Sequence, residues 1–436
     1  KDNITARFGQ EGLIFEGLRL KEANKYAKTV QPRLQALLIY LRRVGGSWRI
    51  NNEAEDSHIW EVLKENGWKF RIAIWLPSAL MILILRSSKW ARKLLIKAQM
   101  KFTPGIYDDL FEKYKPDLVI ASTAGWRVDR YMLRDAAKNG VPSMAAIIGW
   151  DNPSSYAIPG AFMDWATCWS EKQKEELVLG SDWDASRVHI GGIPSYDGYF
   201  RKTWLMPKDE YFKLHDLDPN RKLISYACSF VHFAPNYPNV EALAKMAASG
   251  HLDEDAQLLI RLHPSHFQDR PAIFAEEREQ IHALAEKYPN VHVVRPVALG
   301  GSLGYYGGED MDEKTSMMAY SDVFVTVYST MVVEAAVHDR PIVAAVIDTP
   351  GGWNKPEKYS LALQKIGGWP THLRFREAKA GRVAKTEQEL RNVVNAYLKD
   401  ISLDSAERKA FIEQEISFTD ASSGRRTAEF VLKVLS

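Results

Sequence analysis

Cysteine is scarce in this chain: two in 436 residues, Cys168 and Cys228, each inside an apolar, strand-like run and far from the other. That excludes a disulfide scaffold or a cysteine-based metal framework and fits buried thiols in a reducing compartment. No apolar run reaches the roughly 20 residues of a membrane-spanning helix, and the start does not read as a secretory signal. Strong charge of either sign is lacking too. The net charge of +2 removes any global attraction to nucleic acid. Walker A, G-x-S-x-G and C-x-x-C motifs are absent, and His232, His251, His266 and His282 lack metal-ligand spacing. One absence is local. No acidic residue occurs from Asn66 to Tyr107, where Lys69, Arg71, Arg86, Lys89, Arg92, Lys93, Lys97 and Lys101 surround the apolar run Ile72–Leu85. Such a run is too short to span a bilayer and suits either a helix in an anionic membrane interface or a buried helix beside a basic solvated face.

What is present is ordinary globular composition, 46% hydrophobic and 26% charged, at a length that suggests two or three domains. From Pro116 onward short Val/Ile-rich runs alternate with helical patterns, which implies parallel sheets covered on both faces. Strands are expected at 117–121, 141–148, 166–169 and 187–190, and again at 223–228, 257–262, 291–294, 323–327 and 342–347. A looser stretch, Ser195–Arg221, reads as a linker. The expected fold is α/β: two doubly wound Rossmann-like domains facing a cleft, with a helical apolar-basic N-terminal region. Boundaries are placed at 1–205 for an acceptor-side domain with membrane-contact helices at about 66–107, 206–426 for a nucleotide-donor domain, and 427–436 for a terminal helix.

Three segments of the second half carry chemistry. Val323–Val327 is a buried strand run that turns at Tyr328-Ser329-Thr330 into an apolar helix with one acid, Glu334, four residues past Thr330. Free N–H groups and hydroxyls at such a helix start suit a phosphate, and Glu334 one turn on suits a ribose; an ordinary Ser/Thr N-cap explains the same residues. Ser225–Ser229 ends a strand in a small hydroxyl. Arg261-Leu262-His263-Pro264 delivers a cation and an imidazole to a strand tip that Pro264 terminates. Three successive strand ends of this kind point to a nucleotide diphosphate.

With RLHP at 261–264 and SDVFVTVYSTMVVEAAVHDRPIV some sixty residues later, the second half resembles the nucleotide-binding half of GT-B glycosyltransferases. The bacterial group near CDP-glycerol glycerophosphotransferases and UDP-N-acetylglucosamine 2-epimerases is the nearest in pattern. In the first half PDLVIAS, GVPSMAAIIGWDN, DWATCWSEKQKEELV and VHIGGIPSYDGYF resemble members of that group. The resemblance implies phosphate contacts from Ser229 and His263, diphosphate contacts from Ser329 and Thr330, and a ribose contact from Glu334, with Arg261 adding charge. Two departures stand out. The epimerases carry Ser-Gly-Gly before an acidic pair, where this chain has Ser-Thr-Met and a single Glu334. The glycerophosphotransferases tend to show Asp-Tyr-Ser-Ser, where this chain has Val327.

Transfer also needs a base for the acceptor hydroxyl. Asp151, after the strand that ends near Ile148, is one candidate, though a loop-capping role before Pro153 fits it as well; Glu11 and Glu16 are the others. Asp310-Met311-Asp312 contains a D-x-D, read as the acidic approach to a helix starting at Thr315 and not as a metal site. Trp353 and Trp369, in Gly-Gly-Trp loops, suit stacking or packing equally. The expectation is therefore a metal-independent transferase of GT-B type, cytoplasmic, with a peripheral contact at the inner face of the cytoplasmic membrane. It moves a sugar from a nucleotide-activated donor, a substrate and not a cofactor, to a lipid-linked or surface-polysaccharide acceptor. A CDP-polyol phosphotransferase and a non-catalytic nucleotide-binding protein on the same fold are the alternatives.

Overall fold

The computed structural model describes residues 12–14, 16–59, 68–126, 128–230, 235–268, 272–294, 308–347 and 363–436, and for 58, 59, 68–77, 308, 309 and 364 the backbone alone. Two compact units result: Lys1–Gly192 with Arg425–Ser436, and Ile193–Gly424.

The first unit holds a four-stranded parallel sheet, β1 (Val119–Ala121), β2 (Ser143–Ala146), β3 (Trp165–Cys168) and β4 (Val188–Ile190), in sequence order across the sheet. Its core packs Ala145, Ile147, Ala166 and Cys168 against Leu177 and Trp183. The helix Glu171–Ser181 starts where the Ser170 hydroxyl accepts from the Gln173 amide at 3.3 Å. Gly180 lies inside it, one residue from its end. A Cβ there would come within 2.7 Å of Ile50, so glycine is needed for close packing, and Asp182 in the left-handed region caps the helix.

The second unit holds six parallel strands: β5 (Lys222–Ala227), β6 (Ala256–Arg261), β7 (Val291–Val294), β8 (Val323–Thr326), β9 (Ile342–Ala345) and β10 (Arg382–Ala384). Across the sheet they run β10-β9-β8-β5-β6-β7. β8, β9 and all of β5 beyond Lys222 are buried, as near-continuous apolar runs in a parallel sheet should be. The chain starts in the middle, builds outward to β7, and returns to build the other half from β8. The reversal falls between β5 and β8, and ligands of such sheets bind at that point, beyond the carboxyl ends of the strands.

Three expectations are corrected here. Ser195–Arg221 is no loose linker: it carries the helices Asp197–Phe200 and Lys208–Leu214 and buries Tyr196, Tyr199, Tyr211 and Phe212. The helix expected from Thr315 begins at Gly308, because Asp310 and Glu313 are neutralised by Arg261 and can face inward. β10 was not anticipated, since its three residues run directly into the amphipathic pattern of the helix Glu387–Lys399. Both cysteines are buried and free, and burial pushes the Cys168 thiol up to about 12. Among the described residues no helix is long and apolar enough to cross a membrane.

Candidate functional site at the strand reversal

β5, β6 and β8 end together. Ala227 lies beside Arg261 on one side and Thr326 on the other, and the Thr326 hydroxyl donates to the Ala227 carbonyl at 2.8 Å. The residues that follow, Ser229 after β5, His263 after β6 and Ser329-Thr330 after β8, therefore leave the sheet at one edge.

Ser229 is held by a buried network. The Asn236 carboxamide accepts the Ser229 amide at 2.8 Å and donates back to its carbonyl at 3.2 Å. Glu277, fully buried, then accepts the Asn236 amide at 2.6 Å, the Asn236 Nδ2 at 3.0 Å and the Tyr237 amide at 2.9 Å. His266 Nε2 completes its shell at 2.8 Å. A carboxyl with this many donors fixes Asn236 and Tyr237 and, through Asn236, the backbone of Ser229.

His263 caps the short 3-10 helix Pro264–Phe267. Its Nδ1 accepts the Ser265 amide at 3.1 Å, which leaves the proton of the neutral ring on Nε2. Burial, with His266 and Arg261 beside it, lowers its pKa to about 3, so at neutral pH the ring is an uncharged Nε2–H donor.

The turn after β8 differs from the expected cradle of free amides. The helix Met331–Val337 has seven residues, and its first amides are already used. Met331 N–H donates to Ser329 Oγ at 3.3 Å, Val332 N–H to the Ser329 carbonyl at 3.2 Å, and Val333 N–H to the Thr330 carbonyl at 3.0 Å. The turn closes on itself, so it offers a phosphate the Ser329 and Thr330 hydroxyls. Glu334 is 8% exposed and its carboxyl takes the Tyr199 hydroxyl at 2.9 Å and the Lys314 ammonium at 2.8 Å. Burial and that carboxyl push the Tyr199 and Tyr196 phenols well above their ordinary range. Arg261 is buried and forked onto Asp310, at 2.6 Å, and Glu313.

The candidate bases lie in the first unit. Asp151 occupies the N-cap position of the helix Asn152–Tyr156 without a side-chain cap, and its carbonyl accepts the Ser155 amide at 2.8 Å. Burial raises its pKa, with the Ser155 hydroxyl pulling the other way. Glu16 is exposed and accepts from the Tyr114 hydroxyl at 2.7 Å, which with Lys113 lowers its pKa and weakens it as a base. Glu11, His232 and Trp353 lie outside the described residues. Trp369 is buried, 6.2 Å from the His372 ring.

Residues 170–433 match the family described as CDP-glycerol:poly(glycerophosphate) glycerophosphotransferase, which is more than half of the chain. The chain belongs to this family. As a member of a transferase family it is classed with enzymes that take a group from a nucleotide-activated donor. Among solved structures, the UDP-GlcNAc 2-epimerase from Neisseria meningitidis bound to UDP-GlcNAc is similar at a TM-score of 0.50 and 15% identity, covering 78% of this chain and 82% of that one. A glycosyltransferase from Rickettsia africae gives 0.44 at 13% identity, covering 78% and 82%. The wall teichoic acid polymerase TagF gives 0.38 at 15% identity, covering 63% and 58%. The first of these likenesses supports the fold: parallel α/β units of GT-B type. No curated protein matches the chain.

Asn236, Glu277, His266, Tyr199 and Lys314 were missed as site residues. Glu277 had left a signal: it falls on the same helical stripe as Phe274, Ile281 and Leu284, an acid where the pattern demands an apolar residue.

Proposed function

We propose that the chain transfers a polyol phosphate from a CDP-activated donor to a hydroxyl of a surface-polymer acceptor. The observation that carries this reading is that the glycerophosphotransferase match includes the strand reversal with its Ser229, His263 and Ser329-Thr330 edge. In the proposed reaction the acceptor oxygen attacks the β-phosphorus of the donor. Its O–P bond forms as the bond to the bridging oxygen breaks, and CMP leaves with that electron pair. The acceptor proton passes to Asp151, whose raised pKa suits a base. Ser229, Ser329 and Thr330 hydroxyls and the His263 Nε2–H meet the diphosphate, where donors aimed at developing charge contribute most. Glu334, set by Tyr199 and Lys314, takes the ribose. Arg261 acts through its carboxyl pair, holding the β6 end without touching the phosphate.

Sugar transfer from a nucleotide sugar is the second reading, favoured by Val327 standing where glycerophosphotransferases tend to carry Asp. One assay separates them. Incubation with CDP-glycerol or with UDP-sugars, each with a phosphopolymer primer, should release CMP from the first and no UDP from the second. Asp151→Asn should lower kcat by about 100-fold or more with little change in KM. UDP release without CMP would reverse the order of the two readings.

An anionic membrane surface is the proposed partner of the 66–107 region. Leu80, Leu83, Ile84 and Trp90 are 64%, 63%, 51% and 71% exposed, and Lys89, Lys93, Lys97 and Lys101 are exposed beside them. Arg92 and Arg86 do not contribute, being paired with Asp182 at 2.5 Å and Glu55 at 2.7 Å. The protein should float with phosphatidylglycerol vesicles and be released by salt; equal affinity for neutral vesicles would exclude this contact.

A further inference from the structure

One aromatic at the strand-reversal edge has no part in the donor contacts assigned above. Tyr328 lies two residues past β8 and directly before Ser329-Thr330. Its ring stacks on His372 at 4.9 Å and 26°, and His372 stacks in turn on Trp369 at 6.2 Å and 26°. Burial, with Arg374 beside it, lowers the His372 pKa to about 3, so the middle ring of this column is uncharged at neutral pH. Gly367 closes on the phenol end. A Cβ there would lie 2.5 Å from the Tyr328 hydroxyl and 2.7 Å from the ring carbon that bears it. Arg376 holds that glycine by donating from Nη1 to its carbonyl at 2.9 Å. Trp369 and His372 are buried, whereas Tyr328 is half-buried. Its hydroxyl makes no hydrogen bond among the described residues. Burial raises its pKa, with Arg376 pulling the other way, so the hydroxyl stays protonated and can both donate and accept.

The two sides of the donor site are met by different helices. Glu334 pairs with Lys314 of the helix Gly308–Tyr320, which enters β8 from the β7 side of the sheet. Tyr328 is met by His372 of the helix Pro370–Glu377, which joins β9 to β10. β8 lies between those sides in the order β10-β9-β8-β5-β6-β7. A diphosphate on Ser329 and Thr330, with its ribose towards Glu334, therefore runs towards Tyr328 at the end that carries the transferred group. A polyol and a sugar both present hydroxyls there. A phenol hydroxyl on a ring pinned by its neighbours matches them, with little ordering cost left to meet on binding.

We propose that Tyr328 is a specificity-determining residue whose hydroxyl binds a hydroxyl of the group that the donor transfers. This assignment rests on the nucleotide-donor reading of the strand-reversal site.

The test is calorimetric titration of CDP-glycerol against CDP, and of UDP-N-acetylglucosamine against UDP, into wild type and Tyr328→Phe. Each pair differs only in the transferred hydroxyl-bearing group, and phenylalanine keeps the stack on His372 while removing the oxygen. Tyr328→Phe should weaken whichever complete donor the wild type binds by about fivefold to tenfold, and change the bare diphosphate by less than about twofold. The pair that responds tells polyol from sugar. Gly367→Ala, which places a methyl against the phenol, should show the same selective loss. Equal weakening of donor and bare diphosphate in Tyr328→Phe, or wild-type affinity for both, would overturn the proposal and leave the donor site standing. A wild type that binds none of the four ligands would sink the donor reading and this assignment with it.

Discussion

Replacing Glu277 by Gln removes one acceptor from the centre of the network behind Ser229. The amide keeps an oxygen that can serve the Asn236 and Tyr237 backbone amides, now at 2.6 and 2.9 Å from Oε1. Its new NH2 then faces the Asn236 Nδ2 at 3.0 Å and the His266 Nε2 at 2.8 Å, both donors. His266 cannot escape by moving its proton without cost, because its Nδ1 accepts the His263 amide at 3.0 Å. Two buried donor–donor contacts at roughly 1–3 kcal/mol each, partly relaxed, give a loss of about 3 kcal/mol. In a unit of this size that lowers Tm by about 6–12 °C, measurable by calorimetry. Ser229→Ala is the contrast: it removes only the 3.4 Å hydroxyl contact to Asn236 and should cost under about 1 kcal/mol while weakening nucleotide binding. A Glu277→Gln protein that melts within about 2 °C of wild type would refute the network as the element that holds Ser229 and Asn236 in place.

Other perturbations have definite signs. Lys314→Met strips the largely buried Glu334 of its ion pair at 2.8 Å and should cost about 3 kcal/mol. Adding Glu334→Gln should restore part of that, and strictly additive losses in denaturant melts would contradict the coupling. Burial, with neighbouring positive charge, holds His215 and His338 near a pKa of about 4 and His263 and His372 near about 3, against 6.5 ordinarily. The unfolded chain then binds more protons below about pH 6.5, so stability is complete above that value and falls with pH towards 4, by up to roughly 3 kcal/mol for each of these histidines. A flat Tm across that window would contradict it. Gly125→Ala, at φ 83° and against Gly160, should cost about 2 kcal/mol or more, whereas Gly140→Ala, at φ 68° with open space around it, should cost about 1. Equal losses would show that the crossing is not tight.

Strand ends were legible and strand order was not. Val323–Thr326 announces itself as an apolar run closed by hydroxyls, and Pro264 marks where β6 must stop. Nothing local says that β8 returns to lie beside β5, because pairing across a sheet is decided by packing of whole elements. Ser229 was visible as a small hydroxyl after a strand. Asn236, Glu277 and His266 were not, since each is ordinary in its own segment and they meet only once the helices Tyr237–Ala248 and Ile273–Lys287 have packed. The free amides expected at Met331 failed for a related reason: a seven-residue helix tightens its first turn, and i+3 bonds satisfy the groups a longer helix leaves open. Arg261 looked like a phosphate ligand because its acids, Asp310 and Glu313, lie far along the chain.

The most direct test of the donor site is calorimetric titration of UDP, CDP, GDP, ADP and CMP into wild type, Ser229→Ala and Glu334→Ala. Preference for the cytidine nucleotides, weakened about tenfold in each variant, is what the strand-reversal site predicts. No binding by any nucleotide, or binding that neither variant weakens, would contradict it.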